Sequence, residues 1–134
     1  MAHVRPRIYD GGVSEAMVRA LERAYDDAWT AGDLDAVMAC FADGAIVVNP
    51  RGEACEGTSA IRRMLGAFLD AEARGSVHRS RIERVAFVRE DVAVTDGRAI
   101  LTFADGHRLE HPFTDVVDRA TGRWLIAHTR AYAS

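Results

Sequence analysis

The feature that most constrains the fold of this chain is a change of apolar period at Gly75. Before it, apolar residues recur every three or four positions; after it they alternate. Met17, Leu21, Ala24, Tyr25, Ala28 and Trp29 form one helical stripe, with Ser14 as a suitable N-cap and Gly32 closing the segment. Asp33 is placed to cap a second, short helix whose Leu34, Val37, Met38 and Phe41 face inward and which Asp43-Gly44 ends. Ala45–Asn49 reads as a short buried strand and Pro50-Arg51-Gly52 as a turn. Gly57-Thr58-Ser59 then opens a third helix carrying Ile61, Met64, Leu65, Phe68 and Leu69, which Gly75 terminates. Beyond Gly75 four strands are expected, over 77–89, 92–103, 108–118 and 123–133. Glu90-Asp91, Asp105-Gly106 and Ala120-Thr121-Gly122 lie between them as turns, so successive strands run antiparallel. Three helices in the N-terminal half followed by an antiparallel meander make an α+β plan, with helices on one face of a curved sheet.

Length and charge narrow the functional classes. A chain of 134 residues is expected to form one domain, over 14–134, preceded by an unpatterned arm over 1–13. The net charge of -3 argues against a phosphate-seeking surface, so nucleic acid is not an expected partner. No apolar run reaches the roughly 18 residues of a membrane span, and the N-terminus does not read as a signal peptide. Two cysteines, Cys40 and Cys55, imply no disulfide framework, and a cytoplasmic setting follows as the expectation. All 17 basic residues are Arg, which removes Schiff-base chemistry and any Lys base. His107 and His111, on a strand, would stand about 13 Å apart, too far to share a metal. His3, His78, His107 and His111 are read as surface residues. No phosphate loop or dinucleotide fingerprint occurs, so a cofactor-independent protein without a metal site is expected.

Helices cover only one face of such a sheet. The last strand puts Trp124, Ile126, His128, Arg130 and Tyr132 on one side and Leu125, Ala127, Thr129 and Ala131 on the other. Both sides carry apolar bulk, which leads to the expectation of a homodimer through the sheet.

The stretch Ala31-Gly32-Asp33-Leu34-Asp35, then Phe41-Ala42-Asp43, Asn49-Pro50-Arg51-Gly52 and Glu56-Gly57-Thr58-Ser59, with the ending Gly122-Arg123-Trp124-Leu125-Ile126-Ala127-His128, resembles the nuclear transport factor 2-like superfamily. The likeness spans roughly residues 14–132. It implies a cone in which a bent sheet and helices enclose a deep apolar pocket, and dimerisation through the sheet. Trp29–Asp33, Val48-Asn49 and Phe87–Val94 are most similar to the SgcJ/EcaC group, which occurs around natural-product pathways and carries an oxidoreductase designation that no residue here supports. Ketosteroid isomerases share the Ala-Gly-Asp-Leu-Asp stretch. Their pocket uses a Tyr on the first helix, a carboxylate base before Pro and a protonated Asp on a late strand. By that resemblance Tyr25 and Asp115 are the oxyanion donors, while Asn49 stands where the base would be. An amide takes no proton at neutral pH, so Asn49 is left to orient water or substrate.

Each of these residues also has a structural reading. Tyr25 and Trp29 can be core, Asn49 can hold a turn, and Asp115 can pair with an Arg of a neighbouring strand. His128 is the available titratable base, but a one-residue slip sends it, with Arg130, from the pocket to the opposite face. The expected function is acid-base chemistry (cyclisation, isomerisation or epoxide opening) on a small apolar, polyketide-like molecule. Tyr25, Asp115, His128 and Asn49 would be catalytic, with Trp29, Phe68 and Arg130 against substrate. The alternative is a non-catalytic ligand-binding or dimerisation module.

Overall fold

A computed structural model describes residues 11–133. The elements run α1 (Gly11–Thr30), α2 (Leu34–Met38), β1 (Phe41–Val48), β2 (Ala54–Glu56), α3 (Thr58–Asp70), β3 (Val77–Arg89), β4 (Val92–Thr102), β5 (Arg108–Asp118) and β6 (Leu125–Ala131). Most of the expected arm lies outside the described residues, and its last three positions are the first turn of α1. Ser14 is therefore a buried residue inside the helix and not its cap.

Gly32 ends α1 with φ 69°, in the left-handed region that costs glycine little. Its amide donates to the Trp29 carbonyl (2.8 Å) and the Asp33 amide to that of Ala28 (3.0 Å), closing the last turn. Asp33 caps α2 by accepting from the Ala36 amide at 3.1 Å. Phe41, expected on that helix, instead opens β1, and Asp43-Gly44 lies within the strand. The Asn49–Glu53 turn returns the chain as β2, three residues that pair antiparallel with β1 and carry no alternation to announce them.

All six strands form one curved sheet in the order β2-β1-β6-β5-β4-β3. The meander β3 to β6 is antiparallel throughout; β1 closes onto β6 in parallel. α1 lies against β3 and α3 against β1 and β2. β4 alternates strictly, with Ala93, Thr95, Gly97, Ala99 and Leu101 facing the helices. Val18, Trp29, Val37, Ile61, Leu65, Val117, Trp124 and Ile126 belong to the core between the layers. Among the described residues no helix is long and apolar enough to cross a membrane.

Two irregularities shape the inner surface. Opposite β5, Val117 pairs with Ile126 but Val116 pairs with His128, so Ala127 is an extra residue, a bulge. It shifts the phase of β6: Trp124 and Ile126 face inward before it, Thr129 and Ala131 after it. Further along the sheet, Glu83 is skipped in the pairing of β3 with β4, opposite Gly97.

Candidate functional site

Between sheet and helices lies a cavity of about 670 Å³. Its walls are mostly apolar, with Trp29, Phe41, Leu65, Phe68, Leu101 and Phe113 among them. Arg51, Met64, Glu72 and Leu109 line it while also exposed, and so mark its open side. Polar groups enter from α1 (Glu22, Tyr25), from β3 (His78, Ser80), from β5 (His111, Asp115) and from β6 (Thr129).

The inward face of α1 explains much of this. Val18, Glu22, Tyr25, Asp26 and Trp29 recur at helical spacing and all turn inward, while Met17 and Ala24 of the expected stripe are exposed. Two carboxylates one turn apart, Glu22 and Asp26, are thus carried into the interior, at 4% and 5% exposure.

Asp26 accepts three hydrogen bonds from β3. His78 Nδ1 stands 2.7 Å from Oδ1, Ser80 Oγ donates to Oδ1 at 2.9 Å, and the Ser80 amide donates to Oδ2 at 2.8 Å. A carboxylate only accepts, so Nδ1 carries the proton and Nε2 is left for a ligand. The His78 amide donates to Thr30 Oγ1 at 3.0 Å, which fixes the backbone of the same residue. Tyr25 and Trp29 pack on the imidazole, with ring centroids 5.3 and 5.2 Å away. His78, read from sequence as a surface residue, is in fact the oriented imidazole of the cavity. His111 is likewise half-buried in the wall, its imidazole pK pushed down by burial.

At the deep end Glu22 and Asp115 lie within reach of one another, with Thr95 Oγ1 donating to Glu22 Oε2 at 2.9 Å. Burial, reinforced by the Asp115 charge, holds the Glu22 carboxyl protonated well above the usual range. Burial also raises Asp115, and the proton that Glu22 offers it works in the opposite direction. The pair therefore shares a proton that resides on Glu22. Asp115 Oδ1 is buried and has no hydrogen-bond partner among the described residues. The Tyr25 phenol, raised by burial and by the Asp115 charge, stays neutral.

The expected site residues divide on this geometry. Tyr25, Asp115, Trp29 and Phe68 all line the cavity. Trp29 Nε1 donates to Ser76 Oγ at 2.9 Å, which locks that indole as wall. Asn49 borders the open side, but its side chain serves the turn: Oδ1 accepts from the Arg51 and Glu53 amides (2.9 and 3.0 Å) and Nδ2 donates to Glu53 Oε1 (2.7 Å). His128 and Arg130 stand on the outer face, away from the cavity. The bulge at Ala127 is the physical reason, because it pairs His128 with outward Val116 and leaves Thr129 beside inward Asp115. The residues that sequence reasoning missed are Glu22, Asp26, His78 and His111. One signal was present: Glu22, Tyr25, Asp26 and Trp29 fall at i, i+3, i+4 and i+7.

Among the described residues no group of three or more His, Cys, Asp or Glu side chains is arranged to hold a metal ion. Cys40 is buried, its thiol pushed up to about 11 by burial.

Residues 21–126 match the family model of the SnoaL-like domain. No curated protein matches the chain in sequence. Several solved structures share the fold. A domain of unknown function with a cystatin-like fold from Nostoc punctiforme superposes with a TM-score of 0.83 at 19% identity, covering 93% of this chain and 80% of that one. A candidate scytalone dehydratase from Novosphingobium aromaticivorans gives 0.77 at 18% identity, covering 89% and 83%. A ketosteroid isomerase-like protein from Erwinia carotovora gives 0.68 at 20% identity, covering 89% and 96%.

Proposed function

The chain belongs to the SnoaL-like domain family, and from that premise we propose that it is a small-molecule isomerase or dehydratase. In this reading it moves a proton on a ligand held in the cavity. The observation that carries the proposal is the His78 Nδ1 to Asp26 Oδ1 contact of 2.7 Å in the wall of an otherwise apolar chamber. Asp26 fixes the tautomer and the ring plane; the free Nε2 accepts a proton from the substrate and returns it elsewhere. Ser80 and Thr30 hold the dyad in place, so little reorganisation accompanies the transfer. Asp26 also offsets the charge that the imidazole gains. Neutral Tyr25, close to the ring of His78, is a donor to oxygen on the substrate. Names carried by structural neighbours, a candidate scytalone dehydratase and a ketosteroid isomerase-like protein, support the same reaction class.

A pure binding module would have its pocket polar groups consumed by Arg or backbone. Asn49 fits that description, whereas Tyr25 and Asp115 do not pair with Arg among the described residues. The size and apolarity of the cavity suit a ring-bearing body such as a polyketide-like intermediate, the class implied by the resemblance to the SgcJ/EcaC group. The outer sheet face, where His128 and Arg130 stand, is proposed to pair with a second copy. Sedimentation at micromolar concentration should then return about twice the 14.7 kDa of one chain; a monomeric mass would remove that part.

Base-promoted ring opening of 5-nitrobenzisoxazole tests the dyad without knowledge of the natural substrate. The wild-type protein should exceed free imidazole. His78→Ala should lower the rate about 100-fold, within the range of general-base contributions, and Asp26→Asn, which only orients the base, about 10-fold. A wild-type rate no greater than imidazole, or an unaffected His78→Ala variant, would refute the proposal.

A further inference from the structure

Proton transfer by His78 and Asp26 leaves the open side of the cavity unused, and a built feature stands there. Between β1 and β2 the chain turns on Asn49-Pro50-Arg51-Gly52-Glu53. Asn49 Oδ1 accepts from the Arg51 and Glu53 amides, and the Gly52 amide donates to the Asn49 carbonyl at 2.8 Å. Asn49 Nδ2 donates to Glu53 Oε1 at 2.7 Å. The same oxygen accepts from Arg51 Nε at 3.1 Å and from Arg51 Nη2 at 3.0 Å. The hydrogen bonds from Asn49 and Arg51 hold the Glu53 carboxyl below its usual range, so it stays an ionised anchor for the guanidinium. A guanidinium has five N–H groups, and Glu53 takes only the Nε–Nη2 side. The Nη1–Nη2 edge is left without a hydrogen bond among the described residues. Its two parallel N–H groups match the two oxygens of a carboxylate.

The charge along the cavity gives this fork a use. Arg51 is the single Arg among the lining residues, and it is exposed where the walls open. Farther in, the ionised groups are acidic: Asp115 at the deep end and Asp26 behind His78. A carboxylate carried inward would meet those charges and lose its water among apolar walls. At the opening it keeps part of its hydration and meets Arg51. Met64 and Leu109, apolar and exposed, belong to the same rim. Glu72 is the one exposed acid of the lining; it makes no ion pair among the described residues and is free to turn its carboxylate to water.

We propose that Arg51, positioned by Glu53 and Asn49, binds the carboxylate of an amphipathic acid whose apolar body fills the cavity. The ligand is thereby oriented, its acid group at the opening and its ring or chain inward towards the imidazole of His78. Asn49 acts through Glu53 as a positioning residue. The inference rests on the reading that the cavity takes a ligand with an apolar body. It does not depend on proton transfer by His78.

The test uses three probes of one shape, decalin-2-carboxylate, decalin-2-methanol and decalin-2-ylmethylammonium, with affinity measured by calorimetry on the full chain at pH 7 and low salt. The carboxylate should bind about fivefold more tightly than the alcohol, the scale of one exposed ion pair. Sodium chloride at about 0.5 M should remove most of that difference. Arg51→Gln should bring the carboxylate to the affinity of the alcohol and leave alcohol binding, and so the folded cavity, as in wild type. Glu72→Gln should enlarge the preference. Asn49→Ser keeps a side-chain acceptor for the turn but loses the donor to Glu53. It should weaken the carboxylate alone; equal weakening of both probes would refute the positioning role. A wild-type protein that binds alcohol as tightly as carboxylate, or ammonium more tightly than either, would overturn the assignment. So would a preference that survives Arg51→Gln. His78→Ala should retain the preference even where it abolishes benzisoxazole ring opening, which separates failure at the rim from failure of the dyad. If none of the three binds, the inference falls together with the cavity reading.

Discussion

Glu22 is the residue whose behaviour departs most from its type. Its folded-state pKa is raised above the ordinary 4.5, so the folded chain keeps a proton that the unfolded chain releases. Stability from this site is therefore full at low pH and is lost as pH rises from the unfolded value towards the folded one. Glu22→Gln retains a donor for Asp115 and an acceptor for Thr95 without the ionisation. It should be more stable than wild type at pH 7 by on the order of 1 kcal/mol, with the gain shrinking towards pH 4. Urea unfolding at both pH values checks this, and a variant less stable at pH 7 would contradict it. His111 has the opposite sign: burial depresses its pKa below 6.5, so its contribution is lost as pH falls through that region. Tyr25→Phe removes a hydroxyl that makes no hydrogen bond among the described residues and keeps the ring packing against Phe41 and Trp29. Its melting temperature should match wild type while the rate of benzisoxazole ring opening falls. Tyr25 and Asp115 could be proposed from sequence because the resemblance to ketosteroid isomerases implied a Tyr and an Asp at those places. Glu22 and Asp26 share the helical spacing of Tyr25 and Trp29 but were passed over, because a charged residue on an amphipathic helix ordinarily faces water. Only the β3 partners of Asp26, remote in sequence, show why it does not.

At the scale of elements the strand register was legible wherever alternation was uninterrupted. The bounds of β3 and β5 follow from two-residue periodicity and flanking turns alone. β2 was not legible, since three exposed or half-exposed residues carry no pattern. Nor was the face of His128, because a bulge in β6 turns on one uncommitted alanine. Gly97 marks another irregularity of the sheet. A Cβ there would collide with the carbonyl of Arg81 on β3, a backbone group that cannot swing away as a side chain can. Gly97→Ala should therefore destabilise the protein by roughly 2 kcal/mol or more. Thermal unfolding read by circular dichroism checks it, and a melting temperature equal to wild type would show that the two strands can separate there.

The whole molecule is built as a chamber, with its polar groups gathered on α1 and the facing strands. A ligand that fits should raise the melting temperature in proportion to the logarithm of its concentration, since it binds the folded state alone. The general plan was readable in the sequence because it rests on many redundant signals. The site was readable only in part because it rests on single side chains brought together across α1, β3 and β5.

The extra residue at Ala127 has an outcome for how such a chain can diversify. A strand with uninterrupted alternation ties its two surfaces to one phase. In β6, the segment after the bulge gives Thr129 to the interior and His128 and Arg130 to the exterior, while Ile126 before it still faces inward. Changes at positions 128 and 130 can retune what the outer surface meets and leave the His78–Asp26 dyad in place. Paired His128→Ala and Arg130→Ala substitutions should alter self-association and leave benzisoxazole turnover at the wild-type rate. The two surfaces of one strand are then free to evolve on separate schedules.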